Sequence, residues 1–440
     1  MNVTVENLAP CKKLLRVEVD VQTVDTAFDD VVKDFQRHAN LPGFRAGKAP
    51  RTMVENAYGS RIQDEVKKKL IGDAYRQAVS DNKLRVVVNP DIEEIQFGRG
   101  QVLQFAATVE LEPEFELPEY KGLDVKREAA VTTDADVERA LGVLAEQRAE
   151  YKDVERPVQD GDFVVVNYTG TCDGKPITDT APTARGLTEQ KNYWLKVEKD
   201  SFIPGFTEQL VGAKSGDKRT VNVDFPADFV SQPLAGKKGV YEVELVGVKE
   251  RILPVIDEEF AKSFGAEGLE KLREGVKADL QNELSMKQSR SVRDQLVRAL
   301  LDKVTCDLPE TVVNTEVRNV VYNIVNENQQ RGVPKETIEA QKDQIFSVAS
   351  TSAKDRVKSM FILHRIANKE GIKVEQQELI QRIHMMAQQY QTPVDKLVKE
   401  LQQRNGIAEV QEQILSGKVL DFLQLNAKIE EVPASTGEAK

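Results

Sequence analysis

Hydrophobic and polar positions alternate with different periods along the chain. Leu15, Val17, Val19 and Val21 alternate with polar residues, the period of a half-buried strand. Phe28, Val31, Val32 and Phe35 then recur at i, i+3, i+4 and i+7, which predicts an amphipathic helix ending before Leu41-Pro42-Gly43. A second helix is expected over 51–80, and Leu103, Phe105, Ala107, Val109 and Leu111 return to period two. Residues 112–123, EPEFELPEYKGL, are acidic and proline-spaced, as an extended linker is. Thr133 then offers a cap to a helix with Val137, Leu141 and Leu144 on one face.

From Pro157 to about residue 250 the texture is that of short apolar strands, FVVVNY, KRTVNV and YEVELVGV, separated by glycine turns. After Leu253-Pro254 the pattern is helical to about residue 428. Pro309 sits at a helix start, and Gly332 with Pro334 marks a stop and restart. Val313, Val317, Val320, Val321 and Ile324 form a narrow apolar stripe on an otherwise polar helix, the pattern of an extended arm. Met360 to Leu363 is a consecutive apolar run, and Met385-Met386 adds soft, adaptable side chains; either group reads equally as interhelical core or as surface for varied partners. The predicted fold is therefore multidomain α+β. An α+β domain spans 1–112, a linker with a helix 113–156, a β-rich domain 157–250, an extended all-α region 251–430 and a disordered tail 431–440.

Composition narrows the chemistry. A chain of 440 residues is too long for one core, and 40% hydrophobic with 30% charged residues describes an ordinary globular protein. The net charge of −11 argues against general nucleic-acid binding, so any RNA contact needs a local basic patch. Cys11, Cys172 and Cys306 are scattered and odd in number, and His38, His364 and His384 are equally dispersed. Neither a disulfide framework nor a metal site is expected, and no cofactor motif is present. The N-terminal MNVTVENLAPCKK lacks the apolar core of a signal peptide, and no apolar run approaches membrane-spanning length. The expected setting is a reducing cytoplasm, without membrane contact.

Two constellations remain. The first is LPGFRAGKAPR, residues 41–51, a stiff turn that holds Phe44, Arg45 and Lys48 between two glycines, Gly43 and Gly47. A phosphate-binding loop is excluded, because three residues rather than four separate the glycines and Ala49 stands where Ser or Thr is needed; GTCDGK at 170–175 fails on the same count. An ordinary solvated loop is the bland alternative. Against it, nine Lys/Arg and four acids lie between Lys33 and Lys69, a balance of +5 inside a −11 chain. That island suits an RNA-rich surface. GFRAGK resembles the ribosome-docking signature of the trigger factors, with Ala46 at the variable position. The resemblance implies docking on the large ribosomal subunit near the nascent-chain exit through Gly43, Phe44, Arg45, Gly47 and Lys48.

The second constellation is the β-rich stretch, where Tyr168, Tyr193, Trp194, Phe202, Phe206, Phe225, Phe229 and Tyr241 concentrate the aromatics of a chain with only one tryptophan. DFVVVNYTGTCDGKPI, SFIPGFTEQLVGAKSGDKRTVNVDFPADF and GVYEVELVGVKE resemble the FKBP-type prolyl isomerases, an antiparallel sheet with a short helix. By that resemblance Tyr168, Tyr193, Phe202, Ile203, Phe206, Phe229, Leu234 and Tyr241 line the pocket, although any one of them reads equally as core. Such a pocket needs no nucleophile, metal or cofactor. Ile177-Thr178 stands where the family has an aromatic and an acid, with Asp179 one position late to substitute, and TDTAPTARGLTEQKN is longer than the family pattern. Both departures imply a weaker enzyme.

The resemblance spans nearly the whole chain in a diagnostic order of docking loop, linker helix, FKBP-like domain and helical tail. It implies a chaperone that holds nascent and unfolded polypeptides and assists folding and export, with a homodimer off the ribosome. The competing readings are an isomerase whose flanking domains only recruit substrates, and a structural ribosome-associated factor with a dead pocket.

Overall fold

The computed structural model describes the chain except residues 39–40, 42–43, 45–47, 130, 182–183, 200, 228, 230, 232, 334, 405 and 434–440, and the side chain of Arg185. Two units emerge, residues 1–127 with 290–432, and residues 128–289 with Pro433. The first opens with strands β1 (Asn2–Ala9) and β2 (Lys12–Val19), helices α1 (Val21–His38) and α2 (Arg51–Asp81), and strands β3 (Asp91–Gln96) and β4 (Leu103–Glu110). The strands form one antiparallel sheet in the order β1-β2-β4-β3. Register pairs Leu15 with Ala107, Val17 with Phe105 and Val19 with Leu103. Their buried face meets Val24, Phe28, Val31 and Val32 of α1 and Val54, Ile62, Val66 and Leu70 of α2.

Val21, expected in the strand, begins α1 instead. Asp20 intervenes: its carboxylate accepts from the Thr23 amide and hydroxyl, both at 2.9 Å, which caps the helix and ends the strand. Helix α2 is broken by non-helical angles at Tyr58 (φ −122°, ψ 16°), one residue before Gly59.

The acidic stretch 112–123 is extended, as expected, but it is packed rather than free. Tyr120 and Leu123 are buried, together with Val125 on strand β5 (Asp124–Ala129). The Tyr120 hydroxyl donates to Glu370 at 2.7 Å, and the Arg365 guanidinium donates to the Phe115 carbonyl at 2.6 Å. Alternate prolines and acids hid the aromatic and aliphatic side chains that dock this strap.

The second unit contains helix α3 (Asp134–Gln147), strands β6 (Glu150–Asp153), β7 (Phe163–Cys172) and β8 (Lys175–Pro176), short helices α4 (Ile177–Thr180) and α5 (Arg185–Thr188), and strand β9 (Glu189–Lys196). Strands β10 (Lys218–Asp224) and β11 (Lys238–Ile252) follow, then helices α6 (Glu258–Ser263) and α7 (Leu269–Lys303). A six-stranded antiparallel sheet runs β10-β11-β7-β8, with β9 also paired to β7 and β6 to β11. Thr133 caps α3 through a capping box with Asp136, and Val137, Leu141 and Ala145 pack on Phe260, Ala261 and Leu272.

The second half of α7 belongs to the first unit, where Val292, Leu296 and Leu300 share a core with Tyr120, Leu123, Ile362, Leu363, Ile366, Val419 and Leu423. The remaining helices are α8 (Glu310–Gln330), α9 (Lys335–Ala340), α10 (Lys342–Glu370), α11 (Gln376–Gln389), α12 (Val394–Gln403) and α13 (Gly406–Leu425), followed by β12 (Lys428–Pro433). The α8 stripe packs on Ala349 and Ala353 of α10, whose small side chains let the helices approach closely. Buried Glu110 satisfies the start of α8, accepting from the Thr311 amide at 3.0 Å and its hydroxyl at 2.7 Å. Of the two apolar groups with open readings, Phe361, Ile362 and Leu363 are core, whereas Met385 is exposed. Among the described residues no helix is long and apolar enough to cross a membrane.

Candidate functional site

In the candidate docking loop, Phe44 and Lys48 are described, while Gly43, Arg45 and Gly47 lie outside the described residues. The feet of the loop are fixed. Leu41 packs on the sheet–helix core, and the Phe44 amide donates to its carbonyl at 3.1 Å, closing a turn. Ala49 is buried and its carbonyl accepts from the Gln36 side-chain amide at 3.2 Å. Phe44 is 39% exposed, and Lys48 is exposed.

Arg51 plays another part. Its Nε donates to Glu55 at 2.8 Å, its Nη2 meets Asp29, and Arg99 joins both acids at 3.1 and 3.4 Å. These bonds hold the Asp29 and Glu55 carboxyls below the ordinary range, with Arg51 the leading cause for each. Lys33 and Arg37 are likewise paired, with Asp30 at 3.6 Å and Asp34 at 3.4 Å. The +5 balance of residues 33–69 is therefore thinned in space by Asp29 and Asp30, which precede that segment and pair with Arg51 and Lys33.

The aromatic pocket is assembled by register. Strand β7 opposes β11 so that Tyr168 faces Val243 and Gly170 faces Tyr241, while Tyr193 on β9 pairs with Val166. Gly170 has to be glycine: a Cβ there would lie 2.5 Å from the Tyr241 ring, 2.7 Å from the Leu187 carbonyl and 2.8 Å from Ile177 Cδ1. The turn after β9 delivers Phe202, Ile203 and Phe206. Phe202 sits at φ +67°, a left-handed conformation costly for a bulky residue.

Tyr168 meets Tyr193, Phe202, Phe206 and Tyr241 with ring centroids 5.4 to 6.2 Å apart. Phe206 meets Phe202 at 5.1 Å and Tyr241 at 5.2 Å, edge to face. Ile203 and Leu234 share this core; Phe229 packs against it through Phe225, at 4.9 Å. The eight sequence-derived residues are thus brought to one core, five of them in direct ring contact. Phe225 and Ile177, both singled out in the sequence but not among the eight, belong to the same cluster. Asp179 is exposed on α4, while Ile177 is fully buried.

Tyr168, Ile203, Phe206, Leu234 and Tyr241 are all buried, and Tyr193, Phe202 and Phe229 form the part that reaches solvent. The long segment before β9 covers the cluster. Leu187 of α5 packs on it, and the Tyr168 hydroxyl donates to the Gly186 carbonyl. Burial, with Tyr193 adding to it, pushes the Tyr168 phenol up to about 12, so it is a neutral donor at any physiological pH. Apolar, ring-lined surroundings of this kind suit an X-Pro amide taken out of water. Its twisted form, stripped of conjugation, is less polar than the planar form and gains most there.

Comparison with known proteins resolves the family. A model of the bacterial trigger factor protein matches residues 1–144, and a model of the trigger factor C-terminus matches 268–424. Between them, residues 154–246 match the FKBP-type peptidyl-prolyl cis-trans isomerases. The trigger factor of Opitutus terrae is 36% identical over 98% of both chains. The chain belongs to the trigger factor family. The trigger factor of Geobacter metallireducens is 33% identical over 98% of this chain and 99% of its own. A solved structure of a trigger factor chaperone covers 97% of this chain and 99% of that one, at 22% identity and a TM-score of 0.45. As a member of this chaperone family the chain carries an FKBP-type isomerase domain, and the regions flanking it match the family's own N- and C-terminal models. The reading in which those regions merely recruit substrates for an enzyme is not favoured.

Proposed function

We propose that the chain docks on the large ribosomal subunit beside the nascent-chain exit through the loop 41–51, with Phe44, Arg45 and Lys48 as the contacts between Gly43 and Gly47. It holds emerging and unfolded polypeptides there, assisting folding and export, and it isomerises X-Pro bonds in the pocket of Tyr168, Tyr193, Phe202, Ile203, Phe206, Phe229, Leu234 and Tyr241. Domain limits at 1–112, 113–156, 157–250 and 251–430, a cytoplasmic setting and a homodimer off the ribosome belong to the same reading.

The observation that carries it is the exposed Phe44 on a loop whose feet are pinned by Leu41, Ala49 and Gln36. An apolar anchor flanked by cations suits a surface of phosphate and protein. Exposed Tyr322 on α8, Phe346 and Val348 on α10 and Met385 on α11 supply weak, adaptable contacts for varied clients. Cosedimentation with large subunits tests the docking. Replacing Phe44, Arg45 and Lys48 together by Ala abolishes binding on this reading, and wild-type binding weakens as salt rises. Undiminished cosedimentation of the triple variant would sink it.

A further inference from the structure

One polar atom in the aromatic pocket stands apart. The Tyr241 side chain is fully buried, and its hydroxyl has no hydrogen-bond partner among the described residues. Buried polar groups are almost always paired, so such an atom asks for an explanation. It is not carried passively: Gly170 opposite gives the ring its space, and a phenylalanine would fill the same volume without the penalty. The neighbouring Tyr168 hydroxyl, by contrast, is satisfied by the Gly186 carbonyl of the segment that covers the site. Two phenolic donors thus lie in one apolar ring cluster. One holds a carbonyl of this chain's own backbone, and the other has no partner among the described residues.

We propose that the Tyr241 hydroxyl donates a hydrogen bond to the prolyl nitrogen of an X-Pro substrate as its amide twists. The assignment rests on the isomerase reading of the pocket. As the amide leaves planarity, conjugation is lost and the lone pair localises on nitrogen, which becomes a hydrogen-bond acceptor only then. A donor to the carbonyl of the same amide would stabilise the planar form and raise the barrier, so that acceptor is excluded for a catalyst. A substrate carbonyl outside the rotating bond has a place at Tyr168, where Gly186 now sits. That leaves the nitrogen for Tyr241. The contact exists in the transition state and not before, so it acts on kcat rather than on KM. The prolyl ring reaches it by displacing Leu187 and Phe202, two of the partly buried side chains packed against this core.

Tyr241→Phe in the full chain tests the assignment, because it removes one oxygen and keeps the ring. On an X-Pro peptide substrate we expect kcat to fall about tenfold with KM little changed, which is the size of one modest transition-state contact. The urea midpoint should hold or rise, since an unpaired buried hydroxyl has been removed. Wild-type kcat in the variant would overturn the contact while leaving the isomerase reading intact. A lowered urea midpoint would also overturn it, by showing that the hydroxyl is already bonded in the resting protein. A wild-type chain with no isomerase activity would overturn the isomerase reading itself, and the contact with it.

Discussion

Two phenylalanines show how differently the two candidate sites are built. Phe44 stands 39% exposed on a loop whose feet are tied down, whereas Phe206 is fully buried against three other rings. The loop is contiguous in sequence, and its use requires that the side chain not be satisfied by the fold. The pocket is gathered from β7, β9, β11 and the turn before Thr207, so its residues are core and candidate site at once. The exposed Phe44 and Lys48 of the loop can change with little cost to the fold. A buried ring of the pocket cannot be truncated at so little cost.

Substitutions sharpen this contrast, beginning with the largest effect. Phe206→Ala should cost the β-rich domain about 3 to 5 kcal/mol in urea unfolding, as deletion of a fully buried ring does. It should also slow a proline-limited refolding assay about tenfold or more. Retention of both stability and activity would mean that the ring cluster is not the core described here. Gly170→Ala comes next. With 2.5 to 2.8 Å to Tyr241, Leu187 and Ile177, the added methyl has no room, and the expected loss is about 1 to 3 kcal/mol.

A smaller effect depends on pH. His364 of α10 is hydrogen-bonded to Glu412 of α13, and that bond raises its pKa above the ordinary 6.5 against the opposing effect of burial. A raised folded-state pKa means that the pair's contribution is full below about pH 6.5 and is lost as pH climbs through the folded value. The side chain is 38% exposed, so solvent screening holds the contribution below about 1 kcal/mol. His364→Gln should flatten the fall in wild-type stability as pH rises above about 6.5; an unchanged pH profile in the variant would assign that fall to other groups.

Much of the fold was legible because periodicity reports burial directly. The period-two runs around Leu15 and Leu103 and the helical stripe from Phe28 to Val32 are the buried faces observed. What escaped was decided by partners distant in sequence. Asp20 ended a strand that Val21 otherwise continued. Tyr120 and Leu123 turned a proline-spaced stretch into a packed strap by meeting α7 and α10. The basic island lost strength to Asp29, which a local count could not include. At the pocket, the residue types and order were readable, but the cover formed by Gly186 and Leu187 was not, since no pattern marks a short segment folding over rings from three other elements.

The central claim is that docking and isomerisation are carried by separately built sites on one chain. Two variants measured in both assays test it directly: the Phe44, Arg45 and Lys48 triple Ala variant, and Phe206→Ala. The account predicts that the triple variant loses cosedimentation with large ribosomal subunits, shifts the urea midpoint by less than about 0.5 kcal/mol equivalent, and keeps wild-type isomerase activity. Phe206→Ala should do the reverse, losing isomerase activity while still cosedimenting. A triple variant that still binds, or a single variant that abolishes both activities while remaining folded, would contradict it.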